Sequence, residues 1–174
     1  MSIKSDLENF VAIAEEEARI EYAEGSGKVT KYGKEFGQNG GDWCAWFVAW
    51  CAKQAGISTD ASSGDCPLVP ELGYVPDVYK WYKSSRRNLI PKMSSSSANY
   101  PKVGDLAIID VDGKTGDMNH IGIICEVSGT KVTVIEGNDW DQKLGKCRVK
   151  KIPYNNLVCD NQTISYLCSN HVSF

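Results

Sequence analysis

The hydrophobic period of this chain changes partway along it, and that change limits the folds open to it. Early on, apolar residues recur at helical spacing: Leu7, Phe10, Val11, Ala14 and Ala18 make one stripe, and Cys44, Phe47, Val48, Cys51, Ala52 and Ala55 another. After a low-complexity connection at Ser94–Ser97 the spacing becomes that of strands. Leu106–Val111, His120–Val127, Lys131–Glu136, Lys146–Ile152 and Thr163–Cys168 are separated by turn residues. Helices first and antiparallel strands second predict an α+β domain, with N-terminal helices packed on a C-terminal antiparallel β-sheet. The length of 174 residues and a hydrophobic content of 42% fit a single domain over residues 1–174.

Local signals place the first elements. Ser5-Asp6-Leu7-Glu8 has the pattern of a capping box and predicts a helix running to Glu24 and stopping at Gly25, with Glu15-Glu16-Glu17 on its solvated face. A glycine-rich loop from Gly25 to Gly41 leads to a second helix, capped by Asp42 and ended by Gly56. Residues 57–75 read as irregular, and Pro76 starts a short helix with Val78, Trp81 and Tyr82 inward.

Cys44 falls near the second position of its helix, where backbone N–H groups lack intrahelical partners and the dipole favours a thiolate. One of those N–H groups can also bind an oxyanion. On spacing alone, however, Cys44 belongs to an apolar stripe and reads as a buried structural thiol. His120 shifts the balance. A hairpin folded at Ser128-Gly129 pairs Val127 with Thr130 and sets His120 opposite Gly137, within a residue or two of Glu136 and Asn138. Nucleophile, base and an orienting carboxylate or amide are then all present.

Several ordered pieces carry a family likeness. They are Glu24-Gly25-Ser26-Gly27, Thr30-Lys31-Tyr32-Gly33, Asn39-Gly40, the run Trp43-Cys44-Ala45-Trp46-Phe47-Val48-Ala49-Trp50, and Gln54-Ala55-Gly56-Ile57. Pro101 with Gly104-Asp105, His120-Ile121-Gly122-Ile123 and Ile135-Glu136-Gly137-Asn138 follow. The set resembles the CHAP domain, the cysteine- and histidine-dependent amidohydrolase/peptidase branch of the papain-like superfamily found in phage endolysins and bacterial cell-wall hydrolases. The resemblance implies a papain-like fold, with Cys44 as nucleophile, His120 as base, and Glu136, with Asn138 nearby, orienting the imidazole. It implies that bacterial peptidoglycan is cleaved at an amide, by an amidase or a stem or cross-bridge endopeptidase, through a thioester and without a cofactor. Gln38 stands where papain-like enzymes place an oxyanion-hole amide, Tyr32 is placed to line the cleft or to pack, and Trp43 with Trp46, Trp50 and Trp140 forms either a substrate wall or core. Two readings stay open beside this one: a cysteine protease or amidase effector acting on a non-wall substrate, and a non-catalytic wall-binding module.

Charge and cysteine usage narrow the partners. A net charge of −3 and a pI near 5.4 argue against nucleic-acid binding and against cationic adhesion to a wall. The N-terminus carries no signal-peptide pattern and no apolar run reaches membrane-spanning length, so synthesis in the cytoplasm, action on the wall after release or delivery, and no membrane insertion are expected, as a monomer. Seven cysteines in odd number without C-x-x-C spacing predict free thiols, and with two histidines they make no zinc set. Asp110, Asp112 and Asp117 lack calcium-loop spacing and read as an Asp-Gly turn, and the stretch before Cys44 offers only Glu35 and Asp42 to a cation. No metal is expected.

Overall fold

A computed structural model of the chain describes residues 3–57, 59–60, 68–84, 88–91, 100–111, 118–159 and 162–169. Among these residues four α-helices come first: α1 (Ile3–Arg19), α2 (Lys31–Glu35), α3 (Cys44–Gln54) and α4 (Val75–Ser84). Seven strands follow: β1 (Asn88–Pro91), β2 (Leu106–Asp110), β3 (His120–Ser128), β4 (Lys131–Asp141), β5 (Lys146–Asn155), β6 (Val158–Cys159) and β7 (Gln162–Ser169). The architecture is the α+β one expected from the change of period. Every strand pair is antiparallel, in the order β1-β7-β2-β3-β4-β5-β6, and β6 also pairs with β7. That last pairing closes the sheet into a small barrel, with β1 added outside on β7.

Closure gives the sheet two buried faces. Leu106, Ile108, Ile121, Ile123 and Ile135 point outward and join the helices in one cluster with Phe10, Phe47, Val48 and Cys51. Ala107, Ile109, Ile124, Val132, Val134, Tyr154 and Ile164 fill the barrel interior. Burial on both faces is why Leu106–Ile109 of β2 is an unbroken apolar run. Helix α3, apolar nearly all round, lies against β3 and β4.

The structure corrects several local expectations. Helix α1 begins before Ser5 and stops at Arg19, so the supposed capping box lies inside it. The chain then turns through Glu21 at a φ of 52°, and residues 22–24 pair with the edge of β5: Glu24 N–H donates to the Cys147 carbonyl at 3.0 Å and Val149 N–H to that of Tyr22 at 2.8 Å. Sheet pairing overrides helix propensity there. Glu17, expected on a solvated face, is buried and accepts from Lys31 Nζ at 2.7 Å and Tyr32 Oη at 2.6 Å. The glycine-rich loop contains α2, started by Thr30, whose hydroxyl accepts from Gly33 N–H. The β3–β4 turn is displaced by one residue, pairing Ser128 with Lys131, and a bulge between Ile124 and Glu126 takes back half of the resulting shift, so that Gly122 faces Glu136 where the expected count gave Ile135. Among the described residues, no helix is long and apolar enough to cross a membrane.

Candidate active site

Cys44 is the first residue of α3, one position earlier than expected, because Trp43 and not Asp42 occupies the N-cap. The first intrahelical bond of this turn runs from Phe47 N–H to the Trp43 carbonyl at 2.9 Å. The N–H groups of Cys44 and its next neighbours therefore start the helix without intrahelical partners. Cys44 is nearly buried, yet it lines a cleft of about 440 Å³ between Asp42, the Gly73–Pro76 entry to α4 and Met118-Asn119 ahead of β3.

His120 opens β3, and Ile109 of β2 is its paired neighbour. Its Nε2 lies 2.9 Å from Oε2 of Glu136, which is fully buried. The two residues are diagonal neighbours: Glu136 stands opposite Gly122, two positions along from His120 on the same strand face. A Cβ on Gly122 would fall 2.9 Å from Glu136 Cγ and 2.4 Å from Val134 Cγ1. The missing side chain leaves the space in which imidazole and carboxylate meet. Cys44 also acts on the ring and favours its charged form, and with Nε2 given to Glu136 the nitrogen left for the thiol is Nδ1. Burial works against a charged His120, but the hydrogen bonds and charges of Cys44 and Glu136 outweigh it, and the pKa of the ring stands well above its ordinary value.

Asn138 takes a different place. It sits in the left-handed region at a φ of 61°, within the irregularity that separates the two stretches of β4–β5 pairing. Its Nδ2 donates to Asp42 Oδ1 at 3.3 Å, an oxygen that Lys28 Nζ also approaches to 2.7 Å. Of the two groups expected beside His120, Glu136 bonds the ring and Asn138 bonds Asp42. Asp42, expected as a helix cap, is instead held below the usual carboxylate range by Lys28 first, against its partial burial, and then by Asn138. Gly137 between them is packed under α3: a Cβ there would lie 2.7 Å from Phe47 Cβ and 2.8 Å from Trp43 Cζ3.

Three further expected site residues are absent from the lining of the cleft. Tyr32 is fully buried, stacked on Trp43 with centroids 5.3 Å apart and donating to Glu17, so it packs and does not line the cleft. Burial, then Glu17, pushes its phenol pKa up. Trp43 is also core. Its Nε1 donates to Glu24 Oε2 at 2.8 Å, while Glu24 Oε1 accepts from Cys147 N–H at 3.0 Å. The residue before Cys44 is thereby tied to the β5 edge, a link that the separation in sequence hides. Gln38 is exposed in the turn after α2, its N–H bonded to the Gly33 carbonyl, and it is not among the residues lining the cleft. Trp140 is exposed on β4 rather than part of a wall with Trp43.

Cys51, Cys125, Cys147 and Cys168 also carry free thiols. Burial pushes Cys51 and Cys168 well above the ordinary thiol range, Cys125 to about 12, and Cys147 upward. Among the described residues no group of three or more His, Cys, Asp and Glu converges as a metal site. Asp110 is a buried end of β2, while Asp112 and Asp117 lie outside the described residues.

One residue that sequence reasoning missed completes the line. Tyr154 of β5, fully buried in the barrel, donates its hydroxyl to Glu136 Oε1 at 2.7 Å. Its paired neighbour is Val132 and not Glu136, so no local spacing announces the contact.

No curated protein matches the chain. Among solved structures it is similar to Ly7917 with the hydrolyzing product of MDP, at 14% identity and a TM-score of 0.47, over 97% of this chain and 62% of that one. It is likewise similar to a second structure of Ly7917, at 13% identity and a TM-score of 0.46, with the same coverage. The chain thus spans about three-fifths of the length of those proteins, 62% in each. The family match is a CHAP domain over residues 36–138, a stretch that holds Cys44, His120, Glu136 and Asn138, and the chain belongs to the CHAP domain family.

Proposed function

We propose that this chain is a cysteine-dependent amidohydrolase or peptidase that cuts an amide bond of bacterial peptidoglycan, working as a single catalytic unit and as a monomer. The observation that carries the reading is the His120–Glu136 pair, on which Cys44 acts electrostatically, set where a helix N-terminus meets the lip of a barrel and a cleft opens. Membership of the CHAP domain family supports peptidoglycan as the substrate.

In this reading His120 takes the Cys44 thiol proton and Sγ attacks the amide carbonyl carbon. The oxyanion that forms accepts from the Cys44 N–H, which has no intrahelical partner. As the tetrahedral species collapses, His120 passes its proton to the leaving amine and a thioester remains. Water then gives a proton to His120 and attacks the thioester carbonyl, releasing the carboxylic acid and restoring the thiol. Glu136 keeps Nε2–H bonded, which holds one ring orientation and stabilises the imidazolium between the two transfers.

The test is incubation of purified sacculi with the protein and with Cys44→Ala, followed by mass spectrometry of new termini. New amino termini are expected with the wild type and none with a folded Cys44→Ala. Equal release by the variant overturns the mechanism. Release from proteins or small amides, with none from sacculi, moves the substrate to the effector reading and leaves the chemistry standing.

A further inference from the structure

The mechanism above uses Glu136 as a permanent anion, yet that carboxylate is fully buried at the mouth of an apolar barrel. A carboxylate taken out of water stays charged only if donors replace the water it loses. One donor is the His120 ring on Oε2, and the other is Tyr154 on Oε1.

The Tyr154 hydroxyl lies 2.7 Å from Glu136 Oε1 and also 2.7 Å from a side-chain amide atom of Gln162 in β7. A phenol has one proton and cannot donate to both. Donation to the carboxylate is charge-assisted and the stronger of the two, so Gln162 must turn its NH₂ toward Tyr154 Oη. The two ends of a Gln amide are alike in shape, which makes that orientation free of steric cost. A directed chain results: Gln162 donates to Tyr154, Tyr154 to Glu136, and His120 donates to Glu136 from the other side. Tyr154 and Gln162 both lie beyond the stretch that matches the family, which ends at 138.

We propose that Tyr154 is a positioning residue of this reaction, whose hydroxyl holds Glu136 from inside the barrel as the charged acceptor that orients and retains a protonated His120. The proposal rests on the Cys44–His120 reading for its catalytic meaning. The link from Tyr154 to His120 is physical and is measurable without turnover.

Other charges around His120 are already accounted for. Cys44 faces it from α3, and Asp42 acts on it from the segment before α3 with its own charge paired to Lys28. From β2, Asp110 follows Ile109, the partner of His120. Lys150, paired across the ladder with Glu136, gives its ammonium to Asp139 at 2.9 Å and to the Trp140 carbonyl. None of these donates to Glu136 Oε1, so removing the Tyr154 hydroxyl weakens that anion. An imidazolium facing a weaker anion loses its proton at lower pH.

The experiment is an NMR titration of the histidine-labelled chain, in which His120 is identified among the two histidines by its loss in His120→Gln. In Tyr154→Phe, which keeps the packed ring, His120 is expected to titrate about one pH unit or more below the wild type. The alkaline limb of kcat/KM should move the same way. Gln162→Leu should give a smaller shift in the same direction. A folded Tyr154→Phe with an unchanged His120 titration overturns the proposal, and if that variant fails to fold, an unchanged titration in Gln162→Leu does so. An active Cys44→Ala would defeat the functional reading alone, because the titration still decides whether Tyr154 acts on His120.

Discussion

Glu136 and Asn138 stand two residues apart on one strand, and the hairpin count from sequence placed both near His120. The bulge in β3 and the irregularity in β4 separate them: Glu136 reaches the ring at 2.9 Å, while Asn138, turned into the left-handed region, reaches Asp42 at 3.3 Å. The carboxylate can accept the ring N–H and offset the imidazolium charge. The amide, placed where it is, braces the segment that carries Asp42 through its Nδ2. Glu136→Gln keeps size and shape but removes the charge, so kcat should fall by about 10²–10³-fold. Asn138→Ala should cost about tenfold or less. Steady-state kinetics of the two variants on one soluble amide substrate checks this, and the reverse order would make Asn138 the orienting group, as in a Cys-His-Asn arrangement.

Helix α3 and strand β4 meet without a spacer at Gly137. A Cβ there would sit 2.7 Å from Phe47 Cβ and 2.8 Å from both Phe47 Cγ and Trp43 Cζ3, closer than such atoms pack, so the helix or the strand must move. Gly137→Ala should therefore destabilise by about 1–3 kcal/mol, the range for overpacking. It should also lower kcat more than that loss of stability implies, because Cys44 rides on the helix that is pushed and Glu136 on the strand. Thermal unfolding beside kinetics on a substrate at saturation separates the two effects, and a Gly137→Ala enzyme with wild-type kcat would show that α3 and β4 adjust independently. The same elements show what was legible in the chain. Helix α3 with Cys44 at its start and the run His120–Val127 could be read from local signals, an apolar run ended by Gly56 in the one and a β-branched run ended by Ser128-Gly129 in the other. Closure of the sheet by β6 and β7, the early end of α1 and the contact from Tyr154 to Glu136 could not. Each depends on residues far apart in sequence, where pairing geometry and not local period decides. Spacing left Tyr32 and Trp43 open between cleft and core, and Glu17 and Glu24, buried acceptors on and just beyond α1, draw them inward.

For the molecule as a whole, a net charge of −3 supplies no long-range attraction to an anionic wall, so specificity has to come from the cleft or from another tether. The reaction as derived moves protons among Cys44, His120 and water and calls on no cation. Its stability rests on two apolar clusters, one beneath the helices and one inside the barrel. Chelation should then change neither activity nor thermal midpoint. The comparison is sharp because a resident ion is a large term: an ion present at a hundredfold over its dissociation constant adds about 2.7 kcal/mol. At about 2–4 °C per kcal/mol for a domain of this size, its removal would lower the midpoint by about 5–10 °C. Melting and turnover should be recorded with EDTA and after adding back calcium. Superimposable curves agree with a site that works through its own protons. A drop of several degrees that calcium reverses would assign a structural cation to a carboxylate group such as Asp110, Asp112 and Asp117, and the reading of those residues as a plain turn would fall.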